Sequence, residues 1–265
     1  MKETIDISVI LPVHEFDEVT KQYFANAIKS VEQQIVLPKE LIIVVPKGSE
    51  AETYVKSYDF GTIAYLVSIV ENQGATDFCS QINYGASVST AEWFSILEYD
   101  DQYAKNWFKN VGIYQKAYPT VDIFLPLIVD TNGNDEFIGF TNEAVWANSF
   151  SDELGFLDLN SLLNYQNFSA DGFVMRTSTF LENGQLKSSI KLTFIYEFLL
   201  RMTFKDIKVM VIPKFGYKHI NQRAGSLFAS YKDTLNPAES KYWLNAAKKE
   251  YYFDNDRKIT YKEQN

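Results

Sequence analysis

The sequence predicts an α/β fold built on a mostly parallel β-sheet with helices on both faces. Four apolar runs in the first 118 residues are rich in β-branched residues, as in strands buried on both faces. Segments with helical periodicity separate these runs, and right-handed crossovers between parallel strands carry such helices to both sides of a sheet. With 265 residues, 46% of them hydrophobic, the chain is long enough to bury one large core.

The first half is predicted to alternate strand and helix as β-α-β-α-β-α-β-α. The first strand covers residues 7–13, and the helix after it, over 19–34, has one apolar face formed by Phe24, Ala27, Ile28, Val31 and Ile35. The other predicted strands are 41–45, 63–70 and 93–97, and the other predicted helices are 50–58, 76–88 and 103–118. In such sheets, ligands bind at the carboxyl ends of the strands.

The second half is less regular. Its predicted elements are a strand at 121–129, a turn at 131–134, strand-like segments at 137–146 and 173–176, a helix at 193–204, a strand at 207–212 and a polar loop at 214–228. An amphipathic helix is expected at 236–252 as a C-terminal extension, which divides the chain into residues 1–228 and 229–265. We expect this helix to pack on the domain, and self-association into a homo-oligomer stays open.

Composition excludes several classes of protein. A net charge of −9 disfavours binding to nucleic acid or to anionic membranes through bulk charge. A single cysteine, Cys79, allows no intrachain disulfide and favours a reducing compartment. The N-terminus lacks the apolar segment of a signal peptide, and no run approaches the 18 apolar residues of a membrane span. We therefore expect a soluble, cytoplasmic protein.

The fourth predicted strand runs directly into the acidic segment Glu98-Tyr99-Asp100-Asp101. Clustered carboxylates raise one another's pKa unless a cation lies between them, and hard oxygen ligands suit Mg²⁺ or Mn²⁺. Aspartates are also common in turns after strands. Because this segment follows a strand at the ligand-binding edge, we favour a metal site.

Four segments, in this order and at this spacing, resemble the family-2 glycosyltransferases, which have the GT-A fold. Residues 8–14 resemble the opening strand of that family, residues 72–74 its Asn-x-Gly segment, residues 83–86 its second Asn-x-Gly segment, and residues 97–101 its strand ending in an acidic, DXD-like motif. The resemblance is clear over residues 5–118 and loose over 119–228. It implies a Rossmann-like GT-A domain with a nucleotide-sugar-binding half followed by an acceptor-binding half.

The resemblance also implies roles for particular residues. A nucleoside-diphosphate sugar would lie over the carboxyl ends of the first four strands, with His14 against the nucleobase and Glu98 or Asp100 at the ribose. Asp100 and Asp101 would hold Mn²⁺ or Mg²⁺ against the diphosphate, with His219 as a third metal ligand or a diphosphate contact. The remaining residues expected at the nucleotide sugar are Pro12, Glu15, Asn72, Gly74, Asn83 and Arg223.

One position departs from the family pattern. After the second strand the family has Asp-Asp-Gly-Ser, whose first Asp contacts the base, whereas this chain has Pro46-Lys47-Gly48-Ser49. Proline offers neither a side-chain acceptor nor an N–H donor. Either the donor is not a uridine nucleotide, or another residue such as Asp17 or Glu71 takes over the contact.

Inverting transfer needs a carboxylate that takes the proton from the acceptor hydroxyl, and such a base works best when an apolar setting raises its pKa. Glu197 lies in the apolar helix, where a pair with Arg201 at i+4 is the structural alternative. The family carries Glu-Asp at the positions of Phe194 and Ile195, so Glu197 matches only if the pattern has slipped. Asp171 is the second candidate for the base.

The leading hypothesis is therefore an inverting, metal-dependent glycosyltransferase that uses a nucleoside-diphosphate sugar and a hydroxyl acceptor, most simply a glycan. The missing family residues motivate a second hypothesis, a GT-A-like binding scaffold without catalysis. A third is a sugar nucleotidyltransferase, although residues 12–18 lack the Gly-rich phosphate loop that this chemistry favours.

Overall fold

The structure, a computed structural model, describes residues 2–13, 17–166, 168–221 and 237–262. The strands found in these residues share one mixed sheet. They are β1 (Thr4–Pro12), β2 (Leu37–Pro46), β3 (Leu66–Asn72), β4 (Trp93–Ile96), β5 (Gln102–Tyr103), β6 (Ile123–Thr131), β7 (Phe137–Thr141), β8 (Phe156–Leu157), β9 (Val174–Arg176) and β10 (Val209–Ile220).

The strand order is β3-β2-β1-β4-β9-β6-β10-β5, with β7 beside β6 and β8 beside β10. Strands β3, β2, β1 and β4 are parallel, as are β6 and β10. Strand β9 is antiparallel to both β4 and β6 and joins the two parallel groups. This confirms the predicted mixed, mostly parallel sheet, and it brings the carboxyl ends of β1, β4, β6 and β10 to one edge.

Helices pack on both faces of the sheet. They are α1 (Glu18–Glu32), α2 (Glu50–Ser57), α3 (Phe78–Val88), α4 (Trp107–Ala117), α5 (Leu159–Asn164), α6 (Thr177–Glu182), α7 (Phe194–Phe204) and α8 (Pro237–Glu250). Alternate residues of β1 join separate core clusters: Val9 and Leu11 pack on one face, Ile10 on the other. This alternation is the signature of a strand buried on both sides.

Local capping explains why the first helices begin where they do. The side chains of Asp17, Ser49 and Asp77 accept hydrogen bonds from backbone N–H groups in the first turns of α1, α2 and α3. Each satisfies a donor that the helix itself cannot pair.

Two predicted elements of the second half were wrong. The segment expected to be a polar loop from residue 214 continues instead as β10 to Ile220, because it pairs with β6 on one side and β5 on the other. Gly216 fits this position because a Cβ there would lie 2.4 Å from the Trp107 ring. The strand-like segment 137–146 ends as β7 at Thr141 and is followed by a 3-10 helix, Glu143–Trp146.

The C-terminal helix belongs to the same core. Trp243 on α8 is fully buried, and its carbonyl accepts a hydrogen bond from Thr193 Oγ1 at 2.7 Å, just before α7. The proposed boundary at residue 228, and Asn236 at the start of this helix, lie outside the described residues. Every helix among the described residues is too short or too polar to cross a lipid bilayer.

Candidate active site

The acidic residues after β4 form a tight turn at the carboxyl edge of the sheet. The N–H of Asp101 donates to the Glu98 carbonyl at 3.1 Å, which closes the turn. Asp101 is 1% exposed, whereas Glu98 and Asp100 are half-buried. The segment is thus both a turn and a carboxylate cluster at the edge where ligands bind in such folds, so the two interpretations are compatible.

Strand β10 brings His219 to this turn. His219 Nδ1 lies 3.0 Å from Asp101 Oδ2, and the N–H of Ile220 donates to Asp101 Oδ1 at 2.8 Å. Both oxygens of Asp101 therefore contact consecutive residues of β10, far away in sequence. The His219 side chain remains 30% exposed, so part of its ring is open to solvent.

Asp171 reaches the same region from the segment that precedes β9. Ser169 Oγ donates to Asp171 Oδ2 at 2.6 Å and accepts the N–H of Asp171 at 3.2 Å. Gly172, the next residue, accepts a hydrogen bond at its carbonyl from Trp107 Nε1 at 2.9 Å. Glu98, Asp100, Asp101, Asp171 and His219 are together called the edge cluster below.

Electrostatics show how closely the edge cluster is assembled. Burial raises the pKa of Glu98 well above its ordinary value, and the charges of Asp171, Asp101 and Asp100 raise it further. Burial also raises the pKa of Asp101 to about 6, although His219 opposes this. Burial alone would lower the pKa of His219, but the Asp101 charge and hydrogen bond raise it to about 11. Four carboxylates thus share one imidazole, an excess of negative charge.

Asp130, at the end of β6, is a neighbour that the sequence reasoning missed. It is the register partner of His219 in the parallel β6–β10 pair, and its Oδ2 accepts a hydrogen bond from Thr141 Oγ1 at 2.7 Å. Burial raises its pKa, and the charges of His219 and Asp171 act on it. Its place at the end of a predicted parallel strand was a usable signal, since such ends share one edge.

Glu197 lies elsewhere, in a sealed ionic cluster. Its carboxylate contacts Arg201 Nε at 2.9 Å and Lys187 Nζ at 2.8 Å, and all three side chains are fully buried. A carboxylate without solvent access and paired with two cations cannot reach an acceptor hydroxyl, so the structure favours the ion-pair interpretation over the catalytic one. Phe194, where the family has an acidic residue, packs against Phe78. Lys187, Glu197 and Arg201 are called the buried triad below.

The two Asn-x-Gly segments serve local structure. Asn72 is 7% exposed; its Oδ1 accepts the Gly74 N–H at 2.9 Å and its Nδ2 donates to the Ala75 carbonyl at 2.7 Å. Asn83 bonds both backbone groups of Leu186, at 2.8 and 3.0 Å. The amides predicted to contact the nucleotide sugar hold loops in this structure, and their contact with a nucleotide sugar stays a prediction.

The loop after β2 replaces the family's base-contacting carboxylate with a tight turn. Ser49 Oγ donates to the Pro46 carbonyl at 2.7 Å, and Gly48 adopts the left-handed conformation (φ 76°). Both residues suggested to take over the base contact already have partners within the protein. Asp17 caps α1, and Glu71 pairs with Lys56 at 2.6 Å.

Pro12 is the last residue of β1, buried and paired in register with Val44. It ends the strand, so it lies at the carboxyl edge of the sheet. His14, Glu15 and Arg223, all predicted to contact the nucleotide sugar, lie outside the described residues.

The edge cluster suits a hard divalent cation in its chemistry, with carboxylate oxygens and one imidazole. Over residues 2–13, 17–166, 168–221 and 237–262, however, no three His, Cys, Asp or Glu side chains form a complete ligand set. Mg²⁺-type sites commonly use one or two carboxylates together with water and substrate phosphates. The residues present therefore fit a site that a bound diphosphate completes.

The sequence model described as Glycosyl transferase family 2 matches residues 8–178, well over half of the chain. This range contains the end of β1 from residue 8, all of β4, and Asp171. The match is thus to the part of the chain that carries most of the edge cluster. No curated protein sequence matches the chain significantly.

Solved structures of Staphylococcus aureus TarS share the fold. Its crystal structure has a TM-score of 0.57 and 19% identity, covering 83% of this chain and 37% of that one. TarS 1-349 in complex with UDP gives 0.59 and 17%, covering 96% and 72%. The complex with UDP-GlcNAc gives 0.59 and 17%, covering 87% and 61%. This chain therefore spans little more than a third of the TarS chain in the first of these structures, and the likeness shows the fold alone.

Proposed function

This chain belongs to glycosyl transferase family 2, and from that premise we propose that it is an inverting, metal-dependent glycosyltransferase. It would move a sugar from a nucleoside-diphosphate sugar to a hydroxyl group of an acceptor, most simply a glycan. The observation that carries this proposal is the edge cluster: four carboxylates and one imidazole at the carboxyl edge, where the folds of this class bind their ligands.

The excess negative charge of the edge cluster supports a cation there. Asp100 and His219 are proposed to hold Mn²⁺ or Mg²⁺, and Asp101 to orient His219. Metal-binding histidines usually donate their other ring N–H to a carboxylate, and His219 Nδ1 lies 3.0 Å from Asp101 Oδ2. The cation, when bound, would neutralise the charge that develops on the departing diphosphate.

Asp171 is the proposed base. It would accept the proton of the acceptor hydroxyl as that oxygen attacks the anomeric carbon, on the face opposite the diphosphate, which inverts the configuration. Ser169 Oγ, which donates to the carboxylate and accepts the Asp171 N–H, fixes the carboxylate. The complete burial of Glu197 between Lys187 and Arg201 supports Asp171 rather than Glu197 in this role.

A binding scaffold without catalysis remains the second candidate, because the family's acidic pair is replaced by Phe194 and Ile195 and its base-contacting carboxylate by Pro46. The two candidates differ in turnover alone. Both predict nucleotide-sugar binding, since both retain the edge cluster.

The test is a turnover assay on the purified chain with Mn²⁺, a mixture of oligosaccharide acceptors and a panel of uridine, guanosine, cytidine and thymidine diphosphate sugars, starting with UDP-GlcNAc. We expect one donor to be consumed, with an NMR spectrum of the product showing the opposite anomeric configuration. The D171N variant is the control for the base. Donor binding without turnover would favour the scaffold, and retention of configuration would refute the inverting mechanism.

A further inference from the structure

The segment that carries Asp171 is held at its first residue by a buried asparagine. Asn142 is 1% exposed and adopts the left-handed conformation (φ 74°) that asparagine tolerates. Its Nδ2 donates to the carbonyls of Pro126 (3.0 Å) and Ser169 (2.9 Å), and its Oδ1 accepts the N–H of Ser169 (3.0 Å). The Asn142 side chain therefore holds Ser169 as a neighbouring strand would.

The other end of the segment, Gly172, packs closely against the ring of Tyr217. Gly172 has a φ of +68°, and a Cβ at this position would lie 2.3 Å from Tyr217 Cδ2. Only glycine meets both conditions without displacement. The Trp107 Nε1 bond to the Gly172 carbonyl, at 2.9 Å, fixes the same residue from a second side.

Tyr217 also contacts the acidic turn. Its hydroxyl accepts the backbone N–H of Glu98 at 3.0 Å, and the residue is 1% exposed. One rigid side chain therefore touches both the turn that carries Asp100 and the segment that carries Asp171.

We propose that Tyr217 and Asn142 are positioning residues that set the Asp171 carboxylate against the Glu98–Asp101 turn. The inference rests on the proposed function, in which the turn binds the donor and Asp171 deprotonates the acceptor. Neither residue touches substrate. Their effect is on geometry, and displacement of a reacting group by about 1 Å costs about 100-fold in rate.

Two tyrosines of one aromatic cluster provide a matched test. Tyr103 and Tyr217 are both buried, with ring centroids 5.5 Å apart. The Tyr103 hydroxyl bonds to Ser95 Oγ and to the Ile96 carbonyl inside the sheet, and its link to the Asp171 segment is indirect, through Ser95 Oγ at 3.4 Å from the Gly172 carbonyl. Tyr103→Phe and Tyr217→Phe therefore each remove one buried hydroxyl, but only the second releases the Glu98 N–H.

Hydrogen–deuterium exchange by mass spectrometry measures this directly on the full chain. In Tyr217→Phe we expect peptides containing Glu98 to exchange at least about tenfold faster, because the Glu98 N–H loses its hydrogen bond. In Asn142→Gly, which keeps the left-handed backbone, we expect the same increase in peptides containing residues 169–171, because the Ser169 N–H loses its hydrogen bond. Tyr103→Phe should leave both regions as in the wild type. Equal protection in Tyr217→Phe and Tyr103→Phe would overturn the role of Tyr217, and unchanged exchange at 169–171 in Asn142→Gly would overturn that of Asn142.

Kinetics with UDP-GlcNAc and Mn²⁺, or with whichever donor the panel identifies, supply the second readout. For Asn142→Gly we expect kcat to fall about 10- to 100-fold with KM nearly unchanged, because the geometry of the base is lost while the donor-binding turn is intact. For Tyr217→Phe we expect a similar fall in kcat and a higher KM for the donor, because this variant also releases the donor-binding turn. A fall no larger than that of Tyr103→Phe would contradict the proposal. If the wild type turns over no donor, the proposed function fails, and the exchange data alone then decide whether these residues position the segment.

Discussion

The molecule contains two clusters of buried charge, and they differ in balance and in access. In the buried triad one carboxylate, Glu197, meets two cations, and remaining donors of Lys187 and Arg201 bond to backbone carbonyls, among them those of Glu250 and Gln185. All three side chains are fully buried. In the edge cluster, four carboxylates surround a single imidazole, and His219 is partly open to solvent.

This difference in charge and solvent access distinguishes a structural cluster from a functional one better than the residue types do. The groups of the sealed triad are already paired with one another and with backbone carbonyls, so the triad fastens α7 to residues 183–187 and to the end of α8. An unbalanced cluster at a ligand-binding edge is satisfied only when positive charge arrives. On sequence alone Glu197 attracts attention, because it is a carboxylate in an apolar helix, and its structure gives the reason it is tolerated there.

The largest effect is expected from D171N. Without a carboxylate to accept the acceptor proton, the transfer rate should fall by about 10²- to 10⁴-fold, while donor affinity changes little. Steady-state kinetics with the active donor measure both. The E197Q variant, assayed below its unfolding temperature, should keep its rate per folded molecule; a full rate in D171N would remove Asp171 from the mechanism.

Next in size is the loss of stability in E197Q. Two cations would then be buried without their counter-charge, which costs about 3–5 kcal/mol. Urea denaturation gives the free energy of unfolding. The matched control is E71Q, where the carboxylate pairs with Lys56 at a partly exposed site and a much smaller loss is expected, because solvent screens such a pair. Comparable losses of unfolding free energy in E197Q and E71Q would show that the buried triad does not stabilise the fold as described above.

The Asp101–His219 pair should give stability a pH dependence. His219 has a folded-state pKa of about 11, above its ordinary 6.5. Its contribution is therefore fully present below about pH 6.5 and is lost as pH rises toward 11. In EDTA, the stability gap between wild type and H219Q should narrow from pH 6 to pH 10, as followed by thermal unfolding. A gap that widens with pH would reverse the assigned charge state of His219.

The smallest effect is a gain of stability in D171N without metal. Removing one of four crowded carboxylates relieves repulsion, so the free energy of unfolding in EDTA should rise by about 1 kcal/mol or less. Urea denaturation in EDTA measures this. A clear loss would mean that the edge cluster carries no excess negative charge in the folded chain.

The sequence predicts the first half well, because its strands are buried on both faces and its helices have one apolar stripe. The second half depends on distant contacts that periodicity does not report. Strand β10 contains Pro213, Gly216 and two lysines and resembles a loop, yet pairing with β6 and β5 makes it a strand, and this is what brings His219 to Asp101.

The candidate site divides in the same way. The acidic turn and Asp171 could be nominated from local sequence, since they follow or precede predicted strands. Lys187 as a partner of Glu197, and Leu186 as a partner of Asn83, could not, because each pairing joins segments whose approach is set by tertiary packing. A motif asparagine alone does not reveal whether its amide serves a ligand or a loop.

Isothermal titration with nucleoside diphosphates, in Mn²⁺ and in EDTA, tests most directly whether the edge cluster is the active site. UDP is the first probe, followed by GDP, CDP and dTDP because Pro46 leaves the base undetermined. We predict that the wild type and E197Q bind one of them in Mn²⁺ and not in EDTA, and that D100N loses this binding. Equal affinity in Mn²⁺ and EDTA, unimpaired binding in D100N, or no binding of any of the four would contradict the account.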